Sequence, residues 1–412
     1  MEIKQLIVED RQIPLMKKIL FINSLYFPNI IGGVEIIMQE QAEHFSKMGY
    51  PVAVLTTGEK GNGLNTDMVN GIKVYRAGIK NIYWFSTPNK PNKYVRMLWH
   101  LKDIYNKGMR TYVKEVIDIE KPDIVFCHNL CGFSISAWDE IKAVGLPIIQ
   151  VLHDLYLMCP RSTMFKKGHA CEKQCGVCHW MCRNHRKKSQ VVDAVVGVSA
   201  YVLNKLKQAG YFENVPSYVI HNAKNISEPS KRLVWSEQEP LRIGYIGILT
   251  KAKGVEWLIT QFMYLDNINA TLTIAGRGES IEYEKYLKEL ASKDKRIIFS
   301  GYVKPVEHYT GIYLSVVPSI CPDTFPSVAF ESCAYHVPVI ATKMGGLPEI
   351  IKDGVNGWLC DVDNSDSLGK TILHIYNSSE LLHSVSNRAR ESVSEMLDME
   401  RMMIKYEELA RI

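Results

Sequence analysis

The chain is predicted to be an α/β protein of two doubly wound domains, each a parallel sheet covered by helices. Three observations carry that prediction. Its 412 residues exceed one ordinary core and suit two. In both halves, short apolar runs rich in β-branched residues alternate with longer amphipathic segments, the pattern of parallel strands joined by helical crossovers. Between the halves the alternation lapses over residues 223–240, a stretch rich in Ser, Lys, Glu and Pro that reads as a linker.

Residues Met1 to Leu15 show neither helical nor strand period, and the first strand opens directly after Met16. Either Met16 is the start or the residues before it form a loose arm. The first domain, 16–222, has strand candidates at Lys18 to Ile22, Pro51 to Thr57, Asp123 to His128, Pro147 to His153, Ala194 to Val198 and Tyr218 to His221. The periodic segment Val34 to Lys47 is one of its helices. The second domain, 241–390, has strand candidates at Leu241 to Ile246, Thr271 to Ala275, Arg296 to Ser300, Leu314 to Val317 and Pro338 to Ala341. After Asp366 the pattern is helical, and 391–412 is expected to be a C-terminal helix. Open α/β sheets bind ligands at the carboxyl ends of their strands, so the cleft between the domains is the expected site.

Composition narrows the function. An apolar fraction of 46%, a charged fraction of 23% and a net charge of +5 describe a globular protein without the concentrated basic face of a nucleic-acid binder. The sequence has no apolar run of membrane-spanning length and no secretory signal pattern, so a cytoplasmic location is expected. One local cluster stands out. Lys90, Lys93, Arg96, Lys102, Lys107, Arg110 and Lys114 are interleaved with Tyr94, Met97, Leu98, Trp99, Leu101, Ile104 and Tyr105. Such a stretch suits peripheral contact with an anionic membrane surface. It equally suits a partly buried helix with a solvated basic face.

Three motifs point to the cleft. Gly32 and Gly33 end the first strand-to-helix loop, where paired glycines either let backbone N–H groups approach an anion or serve a tight turn. Gly247 closes the first strand of the second half, and Lys253-Gly254 precedes the next helix, where a lysine can meet a diphosphate oxygen. In Pro318 to Ser332, Asp323 and Glu331 stand eight positions apart, one in a loop and one on the following helix. Glu331 has apolar flanks, so its carboxylate needs buried partners or a polar ligand such as a sugar hydroxyl.

These motifs, with Ile274-Ala275-Gly276-Arg277-Gly278, Gly301-Tyr302-Val303 and Val337 to Thr342, follow one another as in the family 4 retaining glycosyltransferases. The chain resembles that family over nearly its whole length after Met16. The resemblance implies a GT-B fold: an acceptor-binding first domain, a nucleotide-sugar-binding second domain and a last helix that often crosses back onto the first. It implies that Glu331 binds the donor ribose, that Lys253 binds the diphosphate and that Gly32 and Gly33 approach the phosphates from the other domain. Gly247, Arg277, Val303, Phe325 and the amides of Ser327 and Val328 would complete the donor site. His153, at a strand end, matches a histidine that contacts the sugar, and Asp323 stands where the family usually has glutamate. Ile248 replaces an arginine common beside the phosphates, for which Lys251 or Arg277 would compensate. Pro326 replaces a common glycine and removes a backbone donor. The implied reaction moves a sugar, with retained anomeric configuration, from a nucleotide-diphosphate donor to a saccharide or lipid-linked acceptor in surface polysaccharide or glycolipid assembly. It requires no cofactor, and the enzyme would work at the inner face of the membrane. An epimerase or a nucleotide-sugar binding protein would retain the same Lys253 and Glu331.

A cysteine-rich insertion around 159–186 is left over. Cys171, Cys175, Cys178 and Cys182 follow Cys159, and their spacing suits a structural zinc site. On one helix face the same four would pack as reduced thiols. The run Cys171, Cys175, Cys178 also matches the iron–sulfur spacing of radical enzymes, a reading that would leave the sugar-nucleotide motifs unexplained.

Overall fold

The computed structural model describes residues 16–87 and 91–412. The expectations for residues 1–15 and for Lys90 lie outside the described residues. In chain order the first domain contains β1 (Ile19–Ile22), α1 (Gly33–Lys47), β2 (Val52–Gly58), β3 (Leu64–Val69), β4 (Ile72–Gly78), α2 (Lys93–Asp103), α3 (Lys107–Glu120), β5 (Ile124–Cys127), α4 (Ser136–Ala143) and β6 (Ile148–Leu152). A small pair, β7 (Phe165–Lys166) and β8 (His169–Ala170), then leads to α5 (Gly176–Lys188), β9 (Ala194–Gly197), α6 (Ala200–Gln208) and β10 (Ser217–Val219). The large sheet runs β10-β9-β6-β5-β1-β2-β4-β3, and β3 alone is antiparallel to its neighbour.

The second part contains β11 (Leu241–Ile246), α7 (Val255–Met263), β12 (Ala270–Ala275), α8 (Ile281–Ala291), β13 (Ile297–Gly301), α9 (Pro305–Tyr309), β14 (Leu314–Val317) and α10 (Ser327–Ala334). It continues with β15 (Val339–Thr342), α11 (Leu347–Ile350), β16 (Gly357–Cys360), α12 (Ser367–Tyr376), α13 (Ser379–Ser392) and α14 (Met399–Ala410). Its parallel sheet runs β13-β12-β11-β14-β15-β16. The central strands are buried along their whole length, as strands covered by helices on both faces must be.

Two features of the sheets escaped the sequence. The β3–β4 hairpin was missed because the middle of β3 is polar and exposed on the sheet edge, with no apolar alternation to read. A signal was present in Asn70-Gly71, whose positive φ values of 49° and 82° form the turn. The strand β16 is a four-residue run with no alternation of its own. In the cysteine-rich insertion, α5 begins at Gly176, so Cys178 and Cys182 are helical while Cys171 and Cys175 precede the helix. The four cysteines therefore do not share one helix face.

The C-terminal region crosses back. Asp398 caps α14 by accepting from the Arg401 backbone N–H at 2.9 Å, so the expected helix over 391–412 is divided: α13 runs to Ser392, a short turn covers Ser394–Leu397, and α14 begins at Met399. Tyr406 of α14 is buried with its ring centroid 6.3 Å from that of Phe126 in β5, and His44 of α1 lies 3.4 Å from Glu407. From the second domain, Glu349 accepts the Ala200 and Tyr201 backbone N–H groups at 2.7 Å each, capping α6 of the first. These contacts tie the second domain and the last helix to the first domain. Among the described residues no helix is long and apolar enough to cross a membrane.

Candidate active site

The carboxyl ends of β1 and β6 face those of β11 and β14 across a cavity of about 340 Å³. Gly32, Gly33 and His153 line it from one side; Gly247, Lys253, Asp323, Phe325, Ser327 and Val328 line it from the other.

Backbone packing positions the charged groups. Gly254, at φ +70°, lies so close to the Pro318 carbonyl that a Cβ would stand 1.9 Å from its oxygen, so only glycine fits. The turn just before it aims Lys253 at Asp323, and the ammonium donates to both carboxylate oxygens at 2.7 Å. The Ser319 hydroxyl also donates to Asp323, at 2.8 Å. Asp323 itself is held from behind: Gly346 N–H donates to its carbonyl at 2.7 Å, and a Cβ on Gly345, at φ +62°, would lie 2.0 Å from the same oxygen. Across the cleft, the Thr324 hydroxyl donates to the His153 carbonyl at 2.6 Å.

Helix α10 starts at Ser327 after Pro326, and no side chain caps it. Ser327 and Val328 line the cavity at the positive end of the helix dipole. One turn on, Glu331 is buried and accepts from Lys224 at 2.5 Å. Lys224 is anchored in turn by its backbone N–H, which donates to the Met396 carbonyl at 2.9 Å. Phe325 stacks on His221 at 4.8 Å and 14°, and His221 bonds Glu349 at 3.1 Å. Burial alone would raise the Glu349 carboxyl, but the bonds from His221 and the two amides outweigh it and hold the group low.

On the opposite wall, Gly32 N–H donates to Glu35 at 2.8 Å, which closes the first turn of α1. Burial raises the Glu35 carboxyl. A Cβ at Gly33 would meet nothing within 4 Å, so this glycine leaves open space on the cavity wall. His153 is buried, with Nε2 2.8 Å from Nδ1 of His128. Burial pushes His153 down to about 3 and, together with the neighbouring His153, holds His128 well below its usual value. His153 is therefore a neutral hydrogen-bonding group, unsuited to carrying a charge at neutral pH. Burial also pushes the adjacent Asp154 up to about 6.

Seven of the expected donor residues line the cavity and three do not: Glu331 stands behind it against Lys224, which does line it, and the other two lie elsewhere. Arg277 is exposed, and neither it nor Val303 lines this cavity. Three residues at the site were missed. Lys224 sits in a segment read as linker, Thr324 carries no motif signal, and His128 closes a strand without a charged neighbour in sequence. Gln150 next to it ties the strand ends, donating to the His128 carbonyl at 2.8 Å.

The cysteines take another arrangement. Cys178 pairs with Cys159, with 3.7 Å between the sulfurs, and Cys182 is buried. Among the described residues no group of three or more His, Cys, Asp or Glu is placed to hold a metal ion. The expected zinc set Cys171, Cys175, Cys178 and Cys182 and the iron–sulfur triad Cys171, Cys175 and Cys178 form no such group, although Cys175 and Cys178 are neighbours joined by a side-chain hydrogen bond. Hydrogen bonds from the backbone and side chain of Cys178 hold the Cys175 thiol low, while burial pushes Cys182 up to about 12.

Comparison with known proteins agrees with this geometry. Residues 31–228 match the family model described as Glycosyltransferase Family 4, and residues 228–392 that of Glycosyl transferases group 1. An uncharacterized 42.6 kDa protein in the cps region of Klebsiella pneumoniae is 30% identical over 352 residues, covering 85% of this chain and 92% of its own. The N-acetyl-alpha-D-glucosaminyl L-malate synthase of Bacillus anthracis is 26% identical over 388 residues, covering 92% of this chain and 93% of the synthase. Anabaena HepE, solved in complex with UDP and glucose, superposes with a TM-score of 0.70 at 17% identity, over 95% of this chain and 99% of HepE, which speaks for the fold alone. Two facing parallel sheets, a shared cleft and family matches spanning both halves lead to one conclusion: the chain belongs to family 4 of the glycosyltransferases and has the GT-B fold.

Proposed function

We propose that this glycosyltransferase binds a nucleotide-diphosphate sugar in the cleft and transfers the sugar, with retained configuration, to a saccharide or lipid-linked acceptor in surface polysaccharide or glycolipid assembly. The observation that carries the reading is the convergence of Lys253, the α10 N-terminus and the α1 N-terminus on one cavity, with Glu331 beside it. Three positive features meet there, which suits a diphosphate. Glu331 would exchange Lys224 for ribose hydroxyls, and Lys253 would exchange Asp323 for phosphate oxygens. Asp323 would then be free to accept from a hydroxyl of the transferred sugar.

In the transfer step the bond between the anomeric carbon and the diphosphate oxygen breaks. The acceptor oxygen bonds to that carbon on the same face, and its proton passes to the departing phosphate. Nucleoside diphosphate is released. Retention is what the family resemblance implies; on the first-domain wall the cavity is lined by His153, which burial keeps neutral. Such a group orients a sugar better than it abstracts a proton. The protein contributes position and leaving-group stabilisation. The Klebsiella relative from a cps region supports polysaccharide assembly, and the UDP complex of HepE makes uridine donors the first to try.

The test is a thermal-shift panel with UDP, GDP, ADP and their sugar conjugates, followed by NMR assignment of the product anomer. A rise in midpoint with one base, absent in Lys253→Gln, supports the donor site. No shift with any nucleotide sinks the reading, and an inverted product sinks its stereochemical part.

A further inference from the structure

Helix α2 packs against the loops that follow β4, β5 and β6, at the carboxyl edge of the first sheet. Its outward face is apolar. Tyr94, Met97, Leu98 and Leu101 recur at i, i+3, i+4 and i+7, and they are 64%, 53%, 52% and 37% exposed. That spacing puts all four on one side of the helix.

The other side is pinned. Trp99 is buried and donates its indole N–H to the Tyr83 carbonyl at 2.8 Å. Asp103 accepts from the Gly132 backbone N–H at 3.0 Å and from the Tyr156 hydroxyl at 2.7 Å. Rolling the helix to hide the stripe would break these buried bonds, so the exposure is built into the fold.

Charge selects what covers the stripe. By helical phase Lys93 borders it on one side and Lys102 on the other, with Arg96 further round beyond Lys93, and all three are exposed. Between residues 91 and 110 the one carboxylate is Asp103, which is buried under the opposite face. Nothing acidic on the helix neutralises the basic borders. A protein partner would need an apolar groove with two acidic margins at this spacing. An anionic bilayer supplies the same chemistry continuously, with acyl chains for the stripe and phosphates for the flanking cations.

We propose that α2 is an in-plane anchor that seats the first domain on an anionic lipid surface. This goes beyond the transfer reading, since α2 shares no residue with the donor cavity. Binding to lipid is measured without turnover, so the two readings fail separately.

Flotation of the full chain with vesicles of phosphatidylcholine, with or without phosphatidylglycerol, tests it. The protein should float with the anionic vesicles, stay behind with the neutral ones and be released by salt. Replacing Lys93, Arg96 and Lys102 together by Gln should weaken partitioning about 100-fold. Met97→Ser with Leu98→Ser should weaken it independently through the apolar term. Both variants alter exposed side chains and should keep the wild-type melting temperature and nucleotide response. Failure to bind anionic vesicles at low salt overturns the proposal, as does equal binding to both vesicles. A stripe variant that dissolves a self-associated form without changing vesicle binding would assign the face to a second copy of the chain instead.

Discussion

Lys224 Nζ stands 2.5 Å from Oε1 of Glu331, so a residue beside the interdomain connection closes onto the helix that carries the ribose-binding candidate. The pair is mostly buried, and each partner compensates the other in the ligand-free protein. Removing Glu331 should therefore do two things. Glu331→Ala should lower the melting temperature and weaken nucleotide binding about 10- to 100-fold, the range for a lost charged hydrogen bond. Lys224→Ala should lower stability but keep a nucleotide-induced rise in midpoint. If the lysine variant loses the response and the glutamate variant keeps it, the ligand contact has been assigned to the wrong partner.

Two glycines near the cavity should respond in opposite ways. Gly33 opens onto empty space at ordinary φ, so Gly33→Ala should fold with an unchanged melting temperature. Its methyl would intrude on the cavity wall, raising the donor KM. Gly345 has φ +62° and no room for a Cβ beside the Asp323 carbonyl, so Gly345→Ala should destabilise the fold by about 2 kcal/mol or more. Melting and steady-state kinetics on the two variants distinguish these effects, and equal destabilisation would refute the contrast.

The pH behaviour of His153 follows from its burial. Its folded pKa of about 3 lies below the unfolded value, so the unfolded chain takes up protons first as the pH falls. The stability it contributes is full above about pH 6.5 and is lost towards pH 3. Asp154, pushed up to about 6, acts in the opposite sense: its contribution is full below the usual carboxylate range and is lost as the pH rises through 6. Nitrogen NMR of labelled histidine should show His153 neutral from pH 8 to about 5, while an exposed histidine titrates near 6.5. A His153 ring that protonates near pH 6.5 would contradict the geometry.

Thiol reactivity should single out Cys175. Its thiol is held low by bonds from Cys178, whereas burial and the nearby thiols raise Cys178, and burial raises Cys182. Because the thiolate is the nucleophile, iodoacetamide at neutral pH should alkylate Cys175 ahead of the other two, as read by peptide mass spectrometry. Faster labelling of Cys182 would show that the insertion opens in solution.

Much of this architecture is legible in the amino-acid order, because it rests on short-range physics. Apolar runs buried on both faces betray the parallel strands from Ile19 and Leu241, and glycine pairs and a Lys-Gly step mark strand-to-helix loops wherever they occur. The residues Gly33, Lys253, Asp323 and Glu331 could be singled out because each breaks the local pattern of its element. The tertiary structure decided the pairings between residues far apart in sequence: Lys224 with Glu331, His128 with His153, Thr324 with the His153 carbonyl, and Cys159 with Cys178. No local period encodes these contacts, since they form only when two domains and a long insertion pack together. The same packing turned the basic aromatic stretch into a helix with Trp99 inside and Leu98 outside, a choice the sequence alone left open because both faces of α2 are apolar.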